Sequence, residues 1–166
     1  VMRIAVDAMG GDAAPVEIVK GAVAAARFYT DHEIILVGDQ DRIQSELSAC
    51  GATLDNISVV HASQVVGMNE SATVAVRKKA DSSITKGVKL VAEKAADAVV
   101  SAGNTGATVA ASSLFLRTLE HVKRPGIAVS IPTFHGACMV IDAGANIQCK
   151  PAHLMQIGRA SCRERV

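Results

Sequence analysis

Three short segments of this sequence carry the residue types that hold an anion by backbone donors. They are Asp7-Ala8-Met9-Gly10-Gly11-Asp12, Ser101-Ala102-Gly103-Asn104-Thr105-Gly106 and Asp142-Ala143-Gly144-Ala145-Asn146. Glycine lets main chain come close to a ligand, and Asn supplies amide donors without adding charge. The second segment follows the apolar run Ala98-Val99-Val100, read as a buried strand, and precedes a helix-like stretch over residues 107–116. A strand that turns into a helix there leaves several backbone N–H groups around one point, which attracts phosphate. The helix dipole adds ~0.3–1 kcal/mol for an anion near the surface. Glycines at strand–helix turns are often only steric, so one such loop decides little. Three at strand ends suggest a single phosphate-handling edge, because ligands of open α/β sheets sit beyond the C-terminal strand ends.

The elements that must position these loops follow from the apolar pattern. Residues 4–6, 34–37, 57–60 and 98–100 read as short strands. Between them, Ile18, Val19, Ala22, Val23 and Ala26 mark one helix face, with Pro15 suited to its first turn. Ile43 and Leu47 mark a second helix. A short helix is expected over residues 73–78, and Ser82 or Ser83 caps another whose stripe is Ile84, Val88, Val91 and Ala95. Residues 127–131 and 139–141 flank Pro132-Thr133-Phe134-His135-Gly136 as a hairpin, and Lys150-Pro151 introduces a last helix. The β-α-β-α-β order predicts an α/β fold with a mostly parallel sheet and flanking helices. Abundant Ala and Val, with 2% aromatic residues, suits helices lying close on such a sheet.

Other residues bear on chemistry more weakly. Arg77-Lys78-Lys79-Ala80-Asp81-Ser82-Ser83 joins cations to hydroxyls, partners for a phosphate or an acidic carrier protein. The same run also reads as a solvated helix end before a serine cap. His32, His61, His121, His135 and His153 are scattered, and the four cysteines lack metal-ligand spacing, so no metal is expected. The formal charge of +1 gives no sign of nucleic acid, and no run reaches the ~18 apolar residues of a spanning helix. The start shows no signal-peptide pattern, and the cysteines read as free cytosolic thiols. Neither the dinucleotide fingerprint nor a P-loop is present, and there is no Gly-x-Ser-x-Gly elbow.

Residues 157–166, Ile-Gly-Arg-Ala-Ser-Cys-Arg-Glu-Arg-Val, break the preceding pattern. They back-translate into codons that look like a short-read sequencing adapter, so they are expected to be a non-native tail. Without its three Arg and one Glu the formal charge changes from +1 to −1.

With these loops in place, residues 2–156 closely resemble the bacterial phosphate acyltransferases of phospholipid synthesis. The resemblance is carried by Arg3-Ile4-Ala5-Val6-Asp7-Ala8-Met9-Gly10-Gly11-Asp12 with Pro15, and by Arg77-Lys78-Lys79 with Asp81-Ser82-Ser83. It continues through Ser101 to Ala107, Arg124-Pro125, and Asp142 to Asn146 with Cys149-Lys150-Pro151. Departures are Ala72, where the family usually has Pro, and Thr108, where a bulky apolar residue is common. The resemblance implies that inorganic phosphate attacks the thioester of long-chain acyl carrier protein, giving acyl phosphate, with no cofactor. It implies a fold like the phosphate acetyltransferases and the isocitrate/isopropylmalate dehydrogenases. It further implies a homodimer, peripheral at the cytoplasmic membrane, that supplies a glycerol-phosphate acyltransferase. The family's chain is much longer, so residues 2–156 are expected to be the N-terminal part of one truncated α/β acyltransferase domain, inactive alone and prone to aggregate.

Within that scheme Asn104, Asp142 and Asn146 are the candidate catalytic residues. Gly10, Gly11, Asp12, Arg77, Lys79, Ser82, Ser83, Gly103, Thr105 and Gly106 are the candidates for phosphate or substrate binding. A short-chain acyl-coenzyme A phosphate acyltransferase and a non-catalytic phosphate- or carrier-binding module remain as alternatives.

Overall fold

The computed structural model of the protein describes residues 1–51, 53–122, 125–142 and 148–163. These form two compact units, residues 1–116 and 117–166, each taken by itself below.

The first unit is built on four parallel strands, β1 (Arg3–Asp7), β2 (Glu33–Gly38), β3 (Ile57–His61) and β4 (Ala98–Val100), in the spatial order β3-β2-β1-β4. Register pairs Ile4 with Ile34 and with Ala98, and Ile34 with Ile57. The chain therefore steps outward from β1 to β2 to β3, then returns to the other side of β1. This reversal puts a topological switch point between β1 and β4.

Period-two alternation along the strands decides which helix covers which face. Ile34 and Leu36 pack with Val19, Val23 and Ala26 of α1 (Val16–Phe28) and with Ile43 and Leu47 of α2 (Gln40–Ala49). Asp39 opens α2 by accepting the N–H groups of Asp41 and Arg42, both at 3.1 Å. On the opposite face Ala5, Ile35 and Val37 pack with Leu90 and Val91 of α4 (Ser83–Ala92). A further cluster joins Ala75 and Val76 of α3 (Ala72–Lys78), Ile84 and Val88 of α4, and Ala107 and Ala111 of α5 (Thr105–Phe115). Ser82 caps α4 by accepting the Thr85 N–H at 3.3 Å.

Two details differ from the sequence reading. The strand expected to be buried, β4, lies at the sheet edge, and its Val100 is exposed. The stripe expected to reach Ala95 stops earlier, because α4 ends at Ala92. Lys94 then takes φ 59° and turns the chain, so that Ala96 fills the core instead.

In the second unit β5 (Ala128–Thr133) and β6 (Gly136–Ile141) form the antiparallel hairpin, joined by Phe134 and His135. Pro132 belongs to β5 rather than to the turn, a position a two-stranded ribbon tolerates where no N–H is required. Helix α6 (Pro151–Arg163) runs into the segment read as a non-native tail, whose Arg and Ala are good helix formers.

Candidate functional site

The β1–α1 and β4–α5 loops meet at the switch point, and a buried carboxylate joins them. Asp7, only 1% exposed, ends β1 on the same face as Ala5. Its Oδ1 accepts the Met9 N–H at 3.2 Å, and its Oδ2 accepts the Ser101 hydroxyl at 2.7 Å. Ser101 Oγ in turn accepts the Gly103 N–H at 3.0 Å. This chain of bonds fastens the glycine loop of β4 to the end of β1. Gly10 is required by the close approach: a Cβ there would lie 2.4 Å from Asp7 Oδ2 and 2.8 Å from the Gly103 nitrogen. Gly11 is required by its φ of +105°.

From this junction the chain enters α5. Asn104 caps the helix, its Oδ1 accepting the Ala107 N–H at 3.0 Å. Its Nδ2 donates to the carbonyls of Gly67, Met68 and Glu70 at 3.1, 3.1 and 3.2 Å. The side chain read from sequence as a substrate contact thus spends its amide on protein partners. The Thr108 N–H is taken by the Asn104 carbonyl. The donors left over at the start of the helix are the N–H groups of Thr105 and Gly106, which an α-helix cannot satisfy internally. Both residues are exposed. They face whatever enters with the positive end of the helix dipole behind them.

The segment before α3 flanks this helix start. A Cβ on Gly106 would lie 3.1 Å from the Cβ of Ala72. Glu70 Oε1 accepts the Gly67 N–H at 2.8 Å and pairs with Lys79 Nζ at 2.5 Å, while Lys79 also donates to the Val65 carbonyl. The Lys79 ammonium, then the Gly67 N–H, hold the Glu70 carboxyl below its usual range. Asp81 is held well below it by Lys86, at 2.7 Å, and by the Ser63 hydroxyl and N–H.

The other sequence candidates divide clearly. Ser82 and Ser83 are buried at the start of α4. The Ser82 hydroxyl donates to Thr85 Oγ1 at 2.8 Å, whereas Ser83 Oγ has no hydrogen-bond partner among the described residues. Lys79 is committed to Glu70. Arg77 is exposed at the end of α3 and makes no ion pair among the described residues. Asp12 is exposed beyond Gly11. Asp142 lies in the second unit with φ 57°, and Asn146 falls outside the described residues. Asp7 and Ser101 were present in the sequence motifs but had no assigned role. A carboxylate set between Val6 and Ala8-Met9, inside an apolar run, was the available signal. Among the described residues no cluster of His, Cys, Asp or Glu is suited to a metal, and no helix is long and apolar enough to cross a membrane.

Comparison with known proteins adds three findings. The profile of the family described as fatty acid synthesis protein matches residues 2–163. A phosphate acyltransferase of Geotalea uraniireducens is 53% identical over 155 residues, covering 93% of this chain and 44% of the relative. Another from Halothermothrix orenii is 48% identical over 155 residues, with 93% and 46% covered. The chain therefore spans under half the length of the curated relatives it matches. Among solved structures, a phosphotransacetylase from Streptococcus pyogenes superposes with a TM-score of 0.68 at 20% identity, covering 95% of this chain and 51% of that one. The EutD phosphotransacetylase from Staphylococcus aureus gives 0.64 at 21% identity, with 94% and 50% covered. These two likenesses concern the fold, and they agree with the phosphate acetyltransferase-like architecture that the family resemblance implies.

Proposed function

We propose, because this chain belongs to the fatty acid synthesis protein family, that the whole protein transfers a long-chain acyl group from acyl carrier protein to inorganic phosphate. The observation that carries this reading is the uncovered first turn of α5 at the switch point, where two glycine loops let a ligand approach main chain. The name shared by the relatives supports phosphate as the acyl acceptor.

The chemistry follows from what such a site offers. A phosphate oxygen attacks the thioester carbonyl carbon, and the carbonyl electron pair moves onto oxygen. Collapse of that tetrahedral oxyanion breaks the carbon–sulfur bond. The carrier thiolate leaves and takes a proton, and acyl phosphate remains. Holding phosphate beside the carbonyl, with its charge partly offset, supplies much of the acceleration. Donors aimed at the developing oxyanion supply more. Thr105 and Gly106 donate their N–H groups to phosphate or oxyanion, while Gly10, Gly11 and Gly103 leave room for it. Asp12 follows the two glycines in the same loop, and Lys79 shapes the site through Glu70. Arg77 meets phosphate or the acidic carrier.

The finer parts of the proposal rest on the resemblance. They are the long-chain carrier substrate, a homodimer, a cytoplasmic protein peripheral to the membrane, and supply of acyl phosphate to a glycerol-phosphate acyltransferase. The fold likeness to phosphotransacetylases supports a second reading, in which the donor is a short-chain acyl-coenzyme A.

Trapping acyl phosphate with hydroxylamine in the full-length protein decides between them. Phosphate-dependent hydroxamate from palmitoyl-acyl carrier protein, and little from acetyl-coenzyme A, is the expected result. The reverse preference selects the second reading. Binding of carrier with no hydroxamate from either donor removes the enzyme and leaves a binding module.

A further inference from the structure

We infer that Asn104 is a positioning residue whose amide holds residues 67–70 against the first turn of α5, making that segment one wall of the phosphate site. The inference rests on the phosphate reading above. A helix cap needs only an acceptor, and Oδ1 provides it to Ala107. The NH2 group has a separate task, donating to three carbonyls 34 to 37 residues upstream in one loop. The side chain is 8% exposed, so neither end is available to an incoming ligand without losing these partners.

The electrostatics explain why such a clamp belongs beside an anion. Carbonyl oxygens and a carboxylate next to the free N–H groups of Thr105 and Gly106 would repel phosphate. The Asn104 amide turns the carbonyls of Gly67, Met68 and Glu70 onto itself, and Lys79 neutralises the Glu70 carboxylate. Ala72, which opens α3 just after this segment, lies against Gly106, where an added Cβ would meet its Cβ at 3.1 Å. Releasing the loop therefore turns acceptors loose at the site without altering the donors themselves.

Asn104→Ser keeps an acceptor for the Ala107 N–H and removes the donors to the loop, adding no charge. In the full-length protein it should raise the phosphate KM at least fivefold while kcat stays within about twofold. Amide exchange over residues 67–71 should accelerate at least tenfold, with α5 protected as before. Asn104→Thr makes the same change and is measured instead if the serine variant does not fold. A tenfold loss of kcat at unchanged KM would make Asn104 a catalytic contact and overturn the inference. Faster exchange in the loop with both kinetic parameters unchanged would overturn it as well, because the loop would then be no wall of the site. If the wild type forms no acyl phosphate, the proposed function fails separately. The inference then stands if phosphate shifts the Thr105 and Gly106 amides and Asn104→Ser weakens that binding, and falls if it does not.

Discussion

Alanine at Gly10 tests the junction of the two loops with a single methyl group. The new Cβ would meet Asp7 Oδ2 at 2.4 Å and the Gly103 nitrogen at 2.8 Å. Neither obstacle is the free end of a flexible side chain. One is a buried carboxylate oxygen already bonded to Ser101, and the other is main chain of the neighbouring loop. The φ of Gly10 is not in the left-handed region, so the penalty comes from crowding alone. Forcing a methyl into packed surroundings costs ~1–3 kcal/mol. In a chain of this size each kcal/mol lowers Tm by roughly 2–4 °C. Gly21→Ala is the matched control, since a Cβ on this exposed helical glycine meets nothing within 4 Å. It should stabilise α1 by ~0.5–1 kcal/mol through reduced freedom of the unfolded chain and better helix propensity. Urea unfolding followed by circular dichroism compares the two at equal slope. Gly10→Ala at least as stable as wild type would refute the close approach of the two loops, and with it the assembled site.

Three other substitutions separate structural from functional polar groups. Ser82→Ala should lose about 1 kcal/mol with its cap, visible as a lower urea midpoint. Ser83→Ala should lose nothing and gain up to about 1 kcal/mol, because its buried hydroxyl has no partner among the described residues to give up. A clear loss in Ser83→Ala would mean that a bond to this hydroxyl exists in solution. Asp81 binds its proton less readily folded than unfolded, because of Lys86 and Ser63. Its contribution is full above pH ~4 and fades as pH falls below that. Asp81→Asn should therefore flatten the acid side of the stability profile. An unchanged profile between about pH 2 and 5 would contradict the assignment.

Local pattern made much of the first unit legible. Ile43 and Leu47 sit four apart on one helix face, and residues 34–37 form a continuous apolar run covered on both faces, so spacing and run length were enough. The edge position of β4 was not legible, because Ala98-Val99-Val100 reads the same in a central strand. The early end of α4 was hidden for a similar reason: Ala95 continues the apolar spacing, but the chain turns at Lys94. Glycine and asparagine marked the turns that end β1 and β4, where Gly10 and Gly11 meet a steric need and Asn104 caps α5. What the sequence could not display were bonds between distant segments. Asp7 and Ser101 are 94 residues apart, and the carbonyls held by Asn104 are more than 30 residues away. Asn104 thus signalled a helix start, and its bonds to residues 67–70 lay outside any local pattern. Lys79 shows the same limit, since its pairing with Glu70 depends on how residues 65–71 fold back.

Titration of the isotopically labelled protein with inorganic phosphate, read from backbone amide shifts, tests the site most directly. Saturable shifts should centre on Thr105 and Gly106 and extend to Gly103 and Gly10. Saturable binding that leaves those amides unmoved, or none at all up to the concentration at which phosphate supports acyl transfer, would contradict a phosphate site at the start of α5.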